Sequence, residues 1–192
     1  MTTFNPIGDV GKTLRALLLE GMGTWSVDDE QIALASPEQF DPDEVGISLH
    51  LYHLEKQAHQ GPEDASSPVA LELYYLLTAH PPSGETIETA DTLEQHRMLS
   101  KAVQTFRTNS TISGSSLLGS LSGGDPLHVT LDTDATDHVM DVWTSFQDTP
   151  YMPSISYSVS PVLIETPSIE EAPPVTEVTT GYHDDSGGGA GR

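Results

Sequence analysis

The chain of 192 residues contains no cysteine. This absence excludes disulfide bonds, thiol nucleophiles, and zinc or iron–sulfur sites built on thiolates. Basic residues are scarce as well, since 7 Lys and Arg stand against 29 Asp and Glu and give a formal net charge of −22. Binding to nucleic acid requires a basic patch that neutralises phosphates, and binding to an anionic membrane surface requires positive charge too, so neither partner is expected.

Long apolar runs are also missing from the sequence. No run approaches the roughly 20 residues that span a bilayer. The first residues lack the long apolar h-region of a secretory signal peptide, so none is expected. Only 36% of the residues are hydrophobic, which predicts one folded domain together with a segment outside its core.

The acidic residues are scattered along the chain rather than gathered in one block. Two interpretations compete. The chain is either an acidic partner-binding protein or a protein adapted to molar salt, where the Debye length falls to about 3 Å and self-repulsion is screened. A dedicated acidic tail would form a block, so the scattered pattern favours salt adaptation.

Alternating apolar residues predict the strands. Residues 45–51 alternate clearly and predict a half-buried strand. The run 69–79 also alternates, but Tyr74 and Leu76 make its second face partly apolar, which predicts a central strand covered on both sides. Shorter strands are predicted at 31–34, 127–131 and 155–164. Pro161 in the last of these indicates a sheet edge or a bulge.

Apolar residues at helical spacing predict three helices, over about 6–20, 92–107 and 135–147. Asp91 and Glu94 resemble a capping box for the second helix. Together with the strands, and without a βαβ rhythm or a glycine fingerprint, this order predicts an α+β domain. A mostly antiparallel sheet would be covered by about three helices.

The last part of the chain has a different composition. From residue 166 the apolar pattern gives way to prolines, paired glutamates and a glycine-rich end. Such a composition is typical of a flexible linker or tail. The sequence therefore predicts a folded domain over 1–165 and a flexible acidic arm over 166–192.

No residue pattern assembles a catalytic or metal site. The eight histidines do not reproduce HExxH or another zinc spacing. His50 and His53 are expected on opposite faces of a strand, where they could not share a metal. Neither a G-x-S-x-G elbow nor a Walker motif occurs. We therefore expect no enzyme, metal or cofactor, and a hydrolase with an undetected site is the remaining catalytic alternative.

The end of the predicted domain offers a way to join subunits. Edge strands and arms connect proteins by strand addition. The arm of 27 residues could span up to about 90 Å when extended. The apolar face of the last strand is predicted to contact a partner, through Tyr157, Val159, Val162 and Ile164. A tail without any role is an alternative that stays open.

Four stretches in a fixed order carry a family resemblance: 46–55, 69–79, 93–106 and 151–159. They supply a Tyr-Tyr-Leu-Leu-Thr strand, a helix with Glu-x-His, and a Pro-Ser-x-x-Tyr strand that follows Trp143. Residues 5–165 resemble the N-terminal domain of tail-terminator (cap) proteins from phage-tail-like contractile injection systems. Relatives commonly carry Asn-Leu where this chain has Ile47-Ser48, and the acidic arm lies outside the shared domain.

This resemblance implies a non-enzymatic, structural role. Such proteins are thought to form a homohexameric ring that ends inner-tube and sheath polymerisation and links the two. The implied partners are further copies of the chain and the sheath and tube proteins. The implied location is assembly in the cytoplasm, followed by a place in a particle that can be released. A non-enzymatic adaptor or assembly chaperone with an acidic arm is the alternative.

Overall fold

A computed structural model describes residues 4–23, 27–57, 67–84, 86–132, 136–146 and 148–165. Within them lie the helices α1 Pro6–Met22, α2 Thr89–Thr108 and α3 Thr136–Ser145. The strands are β1 Ile32–Ala33, β2 Gly46–Lys56, β3 Val69–His80, β4 Thr111–Ile112, β5 Leu127–Leu131 and β6 Ser154–Ile164. The predicted acidic arm, 166–192, lies outside the described residues.

The strands form one sheet in the order β1-β2-β3-β6-β5-β4. The short β1 runs parallel to β2, and the remaining pairings are antiparallel. The predicted fold class, α+β with a mostly antiparallel sheet and three helices, is therefore confirmed.

The central strand β3 is buried on both of its faces. On one face Leu73 and Leu77 belong to the main core, which α1 and α2 cover with side chains such as Leu14 and Phe106. On the other face Leu76 packs against α3 through Val139 and Trp143. The apolar second face of the 69–79 run thus predicted this two-sided burial correctly.

A bulge accommodates the proline of β6. Leu71 of β3 lies opposite Val162, whereas Leu73 lies opposite Val159, so β6 carries one extra residue over this step. The extra residue falls at Ser160–Pro161, where the peptide bond is cis. The bulge interpretation is therefore confirmed. β6 is an inner strand between β3 and β5, but its pairing with β5 ends at Ser160, so Pro161 has no strand partner on that side among the described residues. A bulge leaves a residue out of the ladder, so the missing N–H of proline is tolerated there.

The second helix begins earlier than the sequence pattern predicts. The backbone N–H of Glu88 donates to the Asp91 carboxylate at 2.8 Å, which places Asp91 inside the first turn. The predicted box between Asp91 and Glu94 is therefore wrong, because Glu94 instead pairs with Arg97 at 3.2 Å. A carboxylate in the first turn is favourable since it satisfies otherwise unpaired N–H groups.

Candidate interaction surfaces

The outer edge of β2 is only partly paired. β1 lies beside Ile47 and Ser48, but β2 continues to Lys56. No strand among the described residues pairs with positions 49–55 on that side. We call the outer side of residues 49–55 the open edge. Unpaired N–H and C=O groups along such an edge are a template for strand addition from another chain.

A groove of about 320 Å³ lies beside the start of the open edge. Gly11 of α1, Leu34 after β1, and Leu49 and Tyr75 of the sheet line it. Ser36 also lines it; the residue is 8% exposed, and its hydroxyl has no hydrogen-bond partner among the described residues. Buried hydroxyls are nearly always paired, but this oxygen is fully buried, so an atom that enters the groove cannot reach it without a local rearrangement.

The two histidines of β2 lie on the same face of the sheet. His50 is opposite Leu76 and His53 is opposite Tyr74, and the register shifts between them. The prediction that they face opposite sides is therefore wrong, because a bulge at Tyr52 adds one residue and resets the alternation. Both rings contact aromatic side chains, His50 with Phe146 at 6.0 Å and His53 with Tyr74 at 5.4 Å between centroids. The open edge thus carries two imidazoles on one face of the sheet.

Aromatic side chains surround the C-terminal half of α3, which covers the face of the sheet that carries Leu76. The Trp143 ring lies 5.5 Å from Phe146 and 5.3 Å from Tyr151 between centroids. Tyr151 and Met140 remain exposed, at 58% and 49%. An exposed apolar group beside a packed aromatic cluster is the kind of surface that protein partners cover.

A serine and a histidine form a buried pair with the distance of a catalytic contact. The Ser48 hydroxyl lies 2.8 Å from Nε2 of His80, and burial lowers the pKa of His80 to about 4. Neither residue is more than 2% exposed. The ring of Phe40 stands edge-on to the imidazole at 5.0 Å. A substrate has no access to this hydroxyl in the folded chain, so the pair acts as a satisfied polar contact in the core.

The predicted partner-contact residues occupy the core of the single chain. Tyr157, Val159 and Val162 are at most 3% exposed, and Ile164 packs partly buried against them. Burial raises the pKa of the Tyr157 hydroxyl to about 12. Within the single chain β6 lies between β3 and β5, so these side chains face the core, with Ile164 only partly buried. Their contact with a partner stays a prediction that the single chain does not test.

The described ranges contain neither a cluster of metal ligands nor a membrane-spanning helix. No group of three or more potential ligand side chains occurs there. None of the helices in those ranges has the length and apolar character that a bilayer span requires.

Residues 9–177 match the Pvc16 N-terminal domain family. The chain belongs to this family. The matched region includes the start of the predicted acidic arm, up to residue 177. A comparison with curated proteins gave no match.

Two solved structures share the fold. One is the PVC sheath/tube terminator of an extracellular contractile injection system in its extended state, with a TM-score of 0.56 and 18% identity over 92% of this chain. The other is the anti-feeding prophage tube-terminating cap, with a TM-score of 0.51 and 16% identity over 92% of this chain. The match spans 63% and 61% of those longer chains. At 18% and 16% identity, the two matches show that this Pvc16-family chain shares their fold, and they show no more than that.

Sequence reasoning missed the open edge, although a signal for it was present. The predicted strand at 31–34 is much shorter than the alternating run that begins at residue 45. Two neighbouring strands of unequal length leave part of the longer one unpaired. The sequence does not show that β1 pairs with β2. The difference in length between these two strands therefore could not be used to predict an unpaired edge.

Proposed function

We propose that this chain is a structural terminator of a contractile injection system. The observation that carries the proposal is the shared fold, over 92% of the chain, with a sheath/tube terminator. Two further findings support the proposal. A tube-terminating cap shares the fold, and the chain belongs to the Pvc16 N-terminal domain family. In this proposal the chain makes and breaks no covalent bonds. It acts by binding the sheath and inner-tube proteins at the end of the particle.

The proposed mechanism is the closure of a ring on a growing cylinder. A polymer of stacked rings stops when a subunit matches the last ring on one face and presents no continuing edge on the other. Six copies would close a cyclic ring through identical head-to-tail interfaces, and six weak contacts to the cylinder would act together through avidity. In such a ring the domain of residues 1–165 forms the body, and the arm of residues 166–192 links neighbours.

The location follows from this role. The chain would assemble on tubes and sheaths in the cytoplasm and leave with the particle if the particle is released. The net charge of −22 per chain becomes about −132 for six copies, so ring assembly requires salt that screens the repulsion. Light scattering after size exclusion should therefore show larger assemblies as KCl rises, and tighter association at low salt would contradict the ring.

Electron microscopy of particles made without this chain tests the terminator role directly. We expect tubes and sheaths of uncontrolled length or with frayed ends, and restoration of uniform length when the wild-type chain is supplied again. Particles of normal length with intact tips would contradict the proposal. A reduced number of otherwise normal particles would instead indicate an assembly chaperone.

A further inference from the structure

The open edge of β2 is long enough to accept a complete strand. β1 covers Ile47 and Ser48 only, and the strand then continues through residues 49–55 without a described partner on its outer side. Leu54 on this edge is 44% exposed. Exposed edges of this kind are normally short, blocked by proline or covered, because they otherwise recruit another chain. The bulge at Tyr52 and the charge of Glu55 protect this edge in part, and a strand added beside residues 49–55 would pair its remaining N–H and C=O groups.

The groove beside this edge would receive side chains of an added strand. Side chains of a strand alternate between its two faces, so every second residue of an added strand would point toward the groove between α1 and β2. The groove has a volume of about 320 Å³. Leu34 and Leu49 line it, so apolar side chains of an added strand would be buried there.

The chain contains a segment suited to this position. Residues 175–180 read Val-Thr-Glu-Val-Thr-Thr, so five of the six are β-branched, the residue type that fits strands best. Glu177 gives the segment a negative charge, and Glu170 and Glu171 precede it. His50 and His53 lie together on one face of the edge. Burial lowers the pKa of His50 and Glu55 lies on the same edge, so the fit of the segment rests on its strand-forming residues and not on charge.

The place where the arm leaves the sheet puts it within reach of an open edge of β2. Ile164, at the end of β6, pairs with Val69, and Lys56, at the end of β2, pairs with Leu71. The arm therefore departs at the end of the sheet where the chain connects β2 to β3 through residues 57–68. The outer edge of its own β2 lies three strand spacings, roughly 15 Å, from β6. Nine extended residues, 166–174, reach about 30 Å, which suffices for an edge in the same copy or in an adjacent one, and only an adjacent acceptor also links the subunits of the proposed ring.

We propose that residues 175–180 of one copy add as a strand to the open edge of β2 in a second copy. This inference rests on the proposed ring. Each copy would then donate one strand and accept one, so a closed ring leaves no open edge of β2. The same pairing would link neighbouring copies around the ring.

Single-cysteine cross-linking of the full chain tests the pairing, because the wild-type chain has no cysteine. Chains carrying Leu54→Cys are mixed, in KCl that supports association, with chains carrying Thr176→Cys, Val178→Cys or Thr180→Cys. Disulfides form only where Cα atoms come within about 7 Å. We expect mass spectrometry to identify a disulfide between Leu54→Cys and at least one of the arm positions. The disulfide would join two different chains.

Leu131→Cys is a matched control for this experiment. Leu131 is 45% exposed, close to the 44% of Leu54, and lies in β5 toward the other side of the sheet. Cross-linking of the arm to Leu54→Cys but not to Leu131→Cys supports the pairing. Equal cross-linking to both positions, or to neither, overturns it. A double variant that forms the disulfide within one chain, at dilutions where the chain is monomeric, overturns the choice of a second copy.

Backbone hydrogen exchange gives an independent readout. Val178→Pro removes an N–H donor from the segment, so we expect the peptide covering residues 49–55 to lose its protection in the assembled protein. Gly188→Pro is the control, because it introduces the same residue outside the segment. Unchanged protection with Val178→Pro would contradict the pairing. If particles lacking the chain have normal ends but the cross-link forms, the terminator role fails while the strand addition stands. If the particles have frayed or overlong ends but no cross-link forms, the strand addition fails while the terminator role stands.

Discussion

The carboxylate of Asp9 in α1 accepts two hydrogen bonds from Ser120, one from the backbone N–H and one from the hydroxyl, both at 2.8 Å. Lys12 donates to the other oxygen at 2.7 Å. These bonds, with the Lys12 bond first in importance, lower the pKa of Asp9 to about 2. The side chain is buried, yet each oxygen has a donor. The two bonds from Ser120 hold α1 against the loop that precedes β5.

Replacing Asp9 by asparagine should destabilise the fold. The amide removes the charge that strengthens the bonds from Lys12 and Ser120 and introduces a buried donor, so we expect a loss of about 1–3 kcal/mol in the free energy of unfolding. Urea unfolding followed by circular dichroism in molar KCl measures it. Asp29→Asn is the control, because the Asp29 side chain is 77% exposed and exposed ion pairs contribute about 0–1 kcal/mol. Equal effects of the two variants would contradict the role of this contact.

Gly119 should tolerate alanine less well than Gly114. Both glycines have a φ of +61°, so the backbone cost of about 1–2 kcal/mol is shared. A Cβ on Gly119 would overlap the Asp9 carboxylate, whereas one on Gly114 meets no described atom within 4 Å. We therefore expect Gly119→Ala to lower the unfolding midpoint further than Gly114→Ala. Equal unfolding midpoints for the two variants would show that the Asp9 side chain moves away from the added Cβ without a loss of stability.

Stability should fall as the pH is lowered from about 6.5 to about 4. Burial lowers the pKa of His80 from 6.5 to about 4, so in this window the unfolded chain binds a proton that the folded chain does not. Unfolding therefore becomes more favourable as the pH falls. The loss of stability that His80 causes is complete below the pKa of the folded state. Urea unfolding at pH 7.5 and pH 5 should show the loss, and His80→Gln should reduce it. The exposed His96 supplies the control, His96→Gln, and a wild-type loss that persists in full in His80→Gln would exclude His80 as its source.

The fold should gain stability with salt. At a net charge of −22 the chain repels itself, and molar KCl shortens the Debye length to about 3 Å. We expect far-UV circular dichroism to show a more complete native spectrum, and a higher unfolding temperature, in molar KCl than in dilute buffer. Adding the same concentration of a neutral solute such as sucrose controls for general solvent effects. A fold that is indifferent to KCl would contradict the salt-adapted interpretation of the sequence.

Local patterns predicted most of the elements because each pattern reports burial of one face. The alternation at 69–79 identified β3 and its two covered faces, and the helical spacing of residues 6–20 identified α1. The patterns failed where one inserted residue resets the period, as at Tyr52, where His50 and His53 came to share a face. A bulge is decided by the pairing of two strands, which a single run of sequence does not contain.

The sequence by itself determined the fold class, the strong acidity and the absence of thiol chemistry, since these follow from composition and from the period of apolar residues. Only the tertiary structure decided that β6 lies inside the sheet and that β2 carries the open edge. It also decided that Asp9 meets Ser120, 111 positions away. Contacts between distant residues depend on which strands become neighbours, and that choice minimises exposed apolar surface and unpaired backbone over the whole chain at once.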